Sequence, residues 1–331
     1  MGYYIVCTAI HLHSNGHYFG RNLDLEYGYH EAVTVTPRNY CFSFRHTPTS
    51  EHHSAMIGMA TVIDGYPLYY EATNEYGLSA AGLNFPGLAH YETAIEGKIN
   101  VASFELIPWL LCHCRNMEDV RRIKEDLNIV ATPFSKDLPP TPLHWMIAYK
   151  EESIVLEPTA EGLKFYDNPV GVMTNAPEFS YHLTNLKDYQ NLSPLPPENR
   201  FGAEGDMTPY SGALGAMGLP GDWSSASRFV RAAFVRCNSP VVPTTEASVN
   251  QFFRILQSVA MPMGSVQVKP GLHDITRYSC CCHAETGKYY YTTYENSRIT
   301  CVDLYASDLD NQNLKSYPLR NKPDILTETE R

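Results

Sequence analysis

The residues best suited to chemistry lie near the start of the chain, where Cys7 is followed by Arg21 and Asp24. A cysteine that becomes N-terminal after trimming supplies a thiol nucleophile and a free α-amine, whose pKa of about 8 suits a general base. A neighbouring arginine favours the thiolate, and an aspartate can orient the freed amine through a hydrogen bond. The trio therefore predicts a nucleophile that carries its own base. The alternatives are a buried strand cysteine and a surface Arg–Asp pair.

A β-hairpin is predicted to bring these residues together. Ser14-Asn15-Gly16 separates two strand-like segments, 8–13 and 18–19, and Asn-Gly is a strong hairpin signal. Further strand-like runs are 32–36, 40–44, 55–62, 67–72, 78–85, 143–148, 153–157, 163–166, 172–174, 277–283, 288–294 and 299–304. Helical patterns cover 103–114, 117–127, 227–236 and 246–259. Strand patterns lie on both sides of the Pro- and Gly-rich stretch 192–220, which favours one domain with long loops over two domains.

The composition is that of a globular protein, with 44% hydrophobic and 18% charged residues in 331. A net charge of −11 provides no attraction for nucleic acid or an anionic membrane. The sequence contains no apolar run of about 18 residues that would span a bilayer. Nine cysteines, an odd number, do not resemble a secreted disulfide scaffold, so reduced thiols and a cytoplasmic location are expected.

Cofactor and metal sites are not predicted. The sequence has no His-Glu-x-x-His, no paired Cys-x-x-Cys, no P-loop and no dinucleotide fingerprint. Cys112-His113-Cys114 and Cys280-Cys281-Cys282-His283 are interpreted as structural, because neighbouring side chains of a helix or strand point in different directions. A papain-like site using His144 and Asn175 lacks a local signature. Asn175 could simply cap a turn, and Arg228 could be a solvent-facing charge at the start of a helix.

Taken together, several segments resemble the choloylglycine hydrolase family, which comprises bile salt hydrolases and penicillin V acylases of the N-terminal-nucleophile (Ntn) hydrolase superfamily. They occur in the family's order over nearly the whole chain. The segments are Cys7-Thr8-Ala9, Gly20-Arg21-Asn22-Leu23-Asp24, Asn74-Glu75-Tyr76-Gly77-Leu78, Ala81-Gly82-Leu83-Asn84-Phe85-Pro86, Leu143-His144-Trp145-Met146, Gly171-Val172-Met173-Thr174-Asn175-Ala176-Pro177, Gly218-Leu219-Pro220-Gly221-Asp222, Ala226-Ser227-Arg228-Phe229 and Tyr291-Thr292-Thr293-Tyr294-Glu295-Asn296.

The resemblance implies an α+β fold, a four-layer αββα sandwich, assembled as a homotetramer in bacterial cytoplasm. It implies that Cys7 is the nucleophile, with Arg21 beside the thiol and Asp24 orienting the amine. Asn175 and the backbone N–H of Asn84 would form the oxyanion hole, and Arg228 would be the remaining active-site arginine. The family's steroid-binding wall corresponds to Leu23, Phe134 and Leu138, the last two in a lip formed by residues 131–140.

The chain departs from the family pattern at its front end. Family members commonly carry the cysteine directly after the initiator Met, whereas six residues precede Cys7 here. Residues 1–6 are therefore expected to be a leader that is removed, or the start lies too far upstream, and 7–331 form a single catalytic domain. A chain that kept these residues would be a non-catalytic binding protein.

Substrate choice is predicted from the same resemblance. Asn84 replaces the tyrosine often found in penicillin acylases, and the large apolar lip suits a steroid. Conjugated bile salts are therefore the expected substrates, with penicillin V as the alternative.

Overall fold

The computed structural model describes residues 6–202 and 204–328. Of the predicted leader, only Val6 belongs to this part of the chain, and Met1 to Ile5 lie outside it. Val6 is the first residue of strand β1 and pairs with Asp24. Over the described residues, the strands are β1 (Val6–His13), β2 (His17–Leu25), β3 (Ala32–Thr36), β4 (Met56–Ile63), β5 (Tyr66–Asn74), β6 (Ser79–Asn84), β7 (Ile99–Ala102), β8 (Leu127–Val130), β9 (Leu143–Tyr149), β10 (Glu152–Thr159), β11 (Gly162–Asp167), β12 (Val172–Met173), β13 (Val266–Lys269), β14 (Leu272–His283), β15 (Lys288–Thr293), β16 (Thr300–Asp303) and β17 (Lys315–Pro318).

Most strands form two large antiparallel sheets. One has seven strands in the order β12-β1-β2-β14-β15-β16, with β13 added beside β14. The other has eight strands in the order β11-β10-β9-β6-β5-β4-β3-β17. The two sheets are packed against each other where β1 and β2 contact β6. A short parallel pair, β7 and β8, lies outside both sheets.

Helices cover the outer face of each sheet. They are α1 (Leu106–His113), α2 (Met117–Arg122), α3 (Phe179–Leu186), α4 (Ser225–Cys237) and α5 (Thr245–Gln257). Helix α1 packs on β5 and β6, whereas α4 and α5 pack on β1, β2, β12 and β14. The order helix, sheet, sheet, helix is the predicted four-layer αββα sandwich, and this prediction is confirmed.

The predicted hairpin forms between β1 and β2. Asn15 (φ 49°) and Gly16 (φ 129°) take the left-handed conformations that a tight turn needs. The pairing places Cys7 opposite Leu23 and sets Asp24 beside Val6. The hairpin thus carries the nucleophile candidate on one strand and its two charged neighbours on the next.

Some predicted elements are wrong or incomplete. The strand expected over 40–44 is only an isolated bridge at Phe42, because the segment instead packs its rings into the core beside α1. The helix expected over 117–127 ends at Arg122, and Leu127 begins β8. Asn116 caps the start of this helix, since its side chain accepts a hydrogen bond from the Asp119 backbone N–H at 3.0 Å.

All nine cysteines are free thiols. Across residues 6–202 and 204–328, no helix is long and apolar enough to cross a membrane. The same residues include no group of three or more His, Cys, Asp or Glu side chains placed to hold a metal ion.

Candidate active site

Cys7 lies on β1, between the two sheets, and is completely buried. Its backbone N–H donates to Oδ1 of Asn175 at 2.9 Å. Strand β12 pairs antiparallel with β1 and sets Met173 opposite Ala9. Asn175 follows Met173 by two residues and therefore lies beside Cys7. The peptide nitrogen of Cys7 and the Asn175 side chain are therefore held together by strand pairing.

Arg21 lies on β2 and is equally buried. Its Nη2 donates to the Cys7 thiol, and its Nη1 donates to the Gly82 carbonyl on β6 at 2.6 Å. The predicted contact between this cation and the thiol is present, and it is anchored on the opposite sheet. Burial nonetheless raises the pKa of the Cys7 thiol above its ordinary value, and Arg21 only partly offsets that effect in the intact chain.

A buried carboxylate accompanies Arg21. Glu71, on β5, places Oε2 3.8 Å from Nε of Arg21 and is 2% exposed. It accepts hydrogen bonds from the hydroxyl groups of Tyr278, at 2.8 Å, and Tyr289, at 2.6 Å. A buried charge needs such partners, so Glu71 acts as the counter-ion of the arginine that touches the thiol.

Asp24 is buried beside the peptide bond that precedes Cys7. Its Oδ1 accepts a hydrogen bond from the Thr276 hydroxyl at 2.5 Å, whereas Oδ2 has no hydrogen-bond partner among the described residues. Burial raises the pKa of this carboxyl to about 6, although Arg228 and Thr276 pull it down. The second oxygen is thus available to a new donor, as the predicted role of Asp24 toward a freed amine requires.

Asn84 and Asn175 meet above the thiol from opposite sheets. Nδ2 of Asn175 donates to the Asn84 carbonyl at 2.8 Å, and the Asn84 backbone N–H hydrogen-bonds the Cys7 thiol. The backbone of Asn175 is fixed by the Ser225 hydroxyl, which accepts from its N–H at 2.9 Å. The Asn175 side chain contacts the Cys7 nitrogen and the Asn84 backbone contacts the thiol, so both residues of the predicted oxyanion hole lie beside Cys7.

Arg228, on α4, is buried and does not face solvent. Its Nη2 donates to Oδ1 of Asn175 at 2.8 Å and its Nη1 donates to the Thr8 hydroxyl at 2.7 Å. Burial lowers the pKa of this guanidinium to about 10, so it remains a cation near neutral pH. Arg228 therefore orients Asn175 and adds positive charge near the thiol.

The three residues of the predicted steroid-binding wall lie in two different parts of the fold. Leu23 pairs with Cys7 on the hairpin and is buried. Phe134 packs its ring on Tyr66 and Phe104, and its carbonyl accepts from Arg45 at 3.0 Å. Leu138 is exposed in the same loop. These contacts do not connect Phe134 to Cys7, so the steroid-binding wall stays a prediction.

Sequence reasoning missed Glu71 and Thr276, which touch Arg21 and Asp24. The signal for Glu71 is a lone carboxylate within an apolar strand segment, which by itself does not distinguish a buried ion from a sheet-surface charge. In the papain-like alternative His144 would lie beside the thiol, but its ring hydrogen-bonds Glu157 and the Thr174 carbonyl instead. The papain-like interpretation is therefore not supported by the geometry.

The chain belongs to the choloylglycine hydrolase family of linear amide C–N hydrolases, whose profile matches residues 7–317. It is 50% identical to a bile salt hydrolase/transferase of Lactiplantibacillus plantarum over 317 residues, 96% of this chain and 98% of that protein. It is 38% identical to a bile salt hydrolase/transferase of Clostridium perfringens, over 94% of this chain and 96% of the relative.

Solved structures give the same family and fold. A variant of the conjugated bile acid hydrolase from Clostridium perfringens superposes with a TM-score of 0.89 at 36% identity, covering 98% of this chain and all of the other. Penicillin V acylase from Agrobacterium tumefaciens has a TM-score of 0.74 at 18% identity, covering 94% and 90% of the two chains. The second likeness concerns the fold alone. The chain is thus an amide hydrolase with the Ntn-hydrolase fold.

Proposed function

We propose that this chain hydrolyses the amide bond of glycine- or taurine-conjugated bile acids, with Cys7 as the nucleophile. The observation that carries the proposal is the buried cluster in which the Cys7 thiol contacts Arg21 and Asn84 while its nitrogen contacts Asn175. The names of the relatives supply the substrate class, since those proteins are bile salt or conjugated bile acid hydrolases.

Removal of residues 1–6 is part of the proposal. While Val6 remains attached, the nitrogen of Cys7 is an amide without a basic lone pair. Hydrolysis of the Val6–Cys7 bond would free an amine next to the β1 position that pairs with Asp24, whose Oδ2 has no partner in the described part of the chain. The match of the family to residues 7–317 supports a working chain that begins at Cys7.

The reaction then needs only groups of this chain. The thiol attacks the substrate carbonyl, and its proton passes to the α-amine as the C–S bond forms. The Asn175 amide and the Asn84 N–H stabilise the oxyanion, each donor contributing about 2.7–4 kcal/mol by mutational precedent. The ammonium then protonates the leaving nitrogen as the C–N bond breaks, and water hydrolyses the thioester with the amine again acting as base.

Acyl transfer is a second candidate function, because four of the relatives are named hydrolase/transferase. A thioester held at Cys7 can react with an amine in place of water, which forms a new amide and releases the thiol. Mass detection of a new conjugate, formed from a bile salt and a different free amino acid, tests this activity. Hydrolysis without any such product would limit the chain to hydrolysis.

We further propose a cytoplasmic homotetramer that takes its small-molecule substrate without metal or cofactor. Nine free thiols support the reducing compartment, and the family resemblance supports the assembly. The molar mass in light scattering tests the assembly, and a monomer would contradict it.

A side-by-side assay of glycocholate, taurocholate and penicillin V tests the substrate class. If the apolar acyl half supplies most of the binding energy, at about 25 cal/mol per Å² buried, the two conjugates should differ from each other less than either differs from penicillin V. Penicillin V as the best of the three would replace this proposal with a penicillin acylase. Intact, correctly folded protein that binds cholate conjugates without turnover would identify a binding protein.

A further inference from the structure

A buried pair of hydrogen-bonded side chains lies next to the proposed oxyanion hole without touching the thiol. His144, on β9, and Glu157, on β10, are 1% and 0% exposed, and Nδ1 of His144 is 3.0 Å from Oε1 of Glu157. The other ring nitrogen, Nε2, lies 2.9 Å from the Thr174 carbonyl. The reaction steps above assign no role to this pair.

Both ring nitrogens have a hydrogen-bond partner. Nε2 donates to the Thr174 carbonyl, which can only accept, and Nδ1 faces Oε1 of Glu157. Oε1 of Glu157 also accepts from the Phe179 backbone N–H, at 3.0 Å. The ring is therefore held at both nitrogens in one orientation.

The ring connects the two proposed oxyanion donors. It donates to Thr174, the residue before Asn175, and it stacks on Phe85, the residue after Asn84, with ring centroids 4.3 Å apart and planes at 10°. Asn175 follows β12, at the edge of one sheet, and Asn84 ends β6 of the other sheet. The distance between the two residues therefore depends on the side chains that pack between them. One side chain, held at both ring nitrogens, contacts the neighbour of each.

Glu157 extends this support to helix α3. It binds the Phe179 N–H at the start of that helix, and His182, one turn later, hydrogen-bonds the Asn175 carbonyl at 2.9 Å. The carboxylate thus fixes both the ring below Asn175 and the helix that holds the Asn175 backbone.

We propose that His144 and Glu157 are positioning residues, which together set the distance and orientation of the Asn84 and Asn175 donors. The role rests on the proposed function of those two groups. Hydrogen bonds at both ring nitrogens and stacking on Phe85 leave the His144 ring little freedom to move. A donor displaced by a fraction of an ångström stabilises a transition state poorly.

Kinetics of processed enzyme carrying His144→Gln or Glu157→Gln tests the role. Active sites are counted as the alkylated fraction of the Cys7-containing peptide after iodoacetamide treatment, measured by mass spectrometry because Cys41, Cys237 and Cys301 are also exposed thiols. Loss of folded protein then does not count as loss of rate. We expect kcat per labelled site to fall by about 10- to 100-fold. KM for glycocholate should change by less than about threefold, and the rate of Cys7 alkylation by less than about twofold.

His53→Gln is the matched control. His53 is also buried and also hydrogen-bonds two carbonyls, of Ser54 and Tyr40, but it packs on Phe42 in the core beside α1. This variant should lose stability and keep its kcat per labelled site. An unchanged kcat per site in both His144→Gln and Glu157→Gln would overturn the positioning role while leaving the hydrolase intact.

Absence of any amide hydrolysis by the unsubstituted, processed protein would instead overturn the proposed function, together with the role that rests on it.

Discussion

Asp24 should destabilise the chain for as long as the leader is attached. Its carboxyl is buried with one oxygen unpartnered, and its pKa is raised from 3.8 to about 6. A raised pKa means that the folded protein prefers the protonated form, so stability is lost as the pH rises from about 4 to above 6. The shift corresponds to at most about 3 kcal/mol at pH 7.

The perturbation is Asp24→Asn in a Cys7→Ala background, with retention of residues 1–6 verified by intact mass. Asparagine keeps an oxygen for the Thr276 hydroxyl and removes the charge. Urea unfolding should show the double variant to be more stable than Cys7→Ala at pH 7, by up to about 3 kcal/mol, with the difference vanishing near pH 4. Asp137→Asn, which removes an exposed carboxylate, is the control. Equal or lower stability of the double variant at pH 7 would refute the reasoning.

Three further predictions concern the processed enzyme. Cys7→Ala should abolish hydrolysis of glycocholate, and Cys7→Ser should leave a trace of activity at best. Cys281→Ala, at another buried thiol, should keep the unsubstituted rate, and equal losses at both cysteines would refute the nucleophile assignment. Asn175→Ala should lower kcat by about 10²–10³, and a change confined to KM in steady-state kinetics would refute its oxyanion role. Glu71→Gln leaves the Arg21 cation without its counter-ion, so the pKa of the Cys7 thiol should fall. The pH dependence of the rate of Cys7 alkylation by iodoacetamide measures this pKa, and a rise would show that Arg21 had moved away from the sulfur.

Much of the site could be predicted from the sequence because it depends on local pattern. Asn15-Gly16 specifies the tight hairpin, and the hairpin sets Leu23 opposite Cys7. Local pattern could not predict that Asn84, Asn175 and Arg228 lie beside that hairpin, and this prediction came from the family resemblance. All three contact Cys7 or its direct partners.

The residues that were missed depend on long-range packing. In the sequence Glu71 looks like an ordinary strand residue, because Tyr278 and Tyr289, the two residues that hydrogen-bond to it, lie more than 200 positions later. Arg228, which the resemblance identified, depends on long-range packing in the same way, because local pattern alone does not distinguish it from a surface charge before α4 packs on β1. Strands such as β7, β13 and β17 have four residues each, too few to show an alternating pattern.

The central claim is that catalysis needs Cys7 as an N-terminal residue. The most direct measurement is the intact mass of purified protein together with its turnover of glycocholate, before and after removal of residues 1–6. The account predicts that every active preparation begins at Cys7 and that protein retaining Met1–Val6 is inert. Undiminished turnover by protein whose mass still includes those six residues would contradict it.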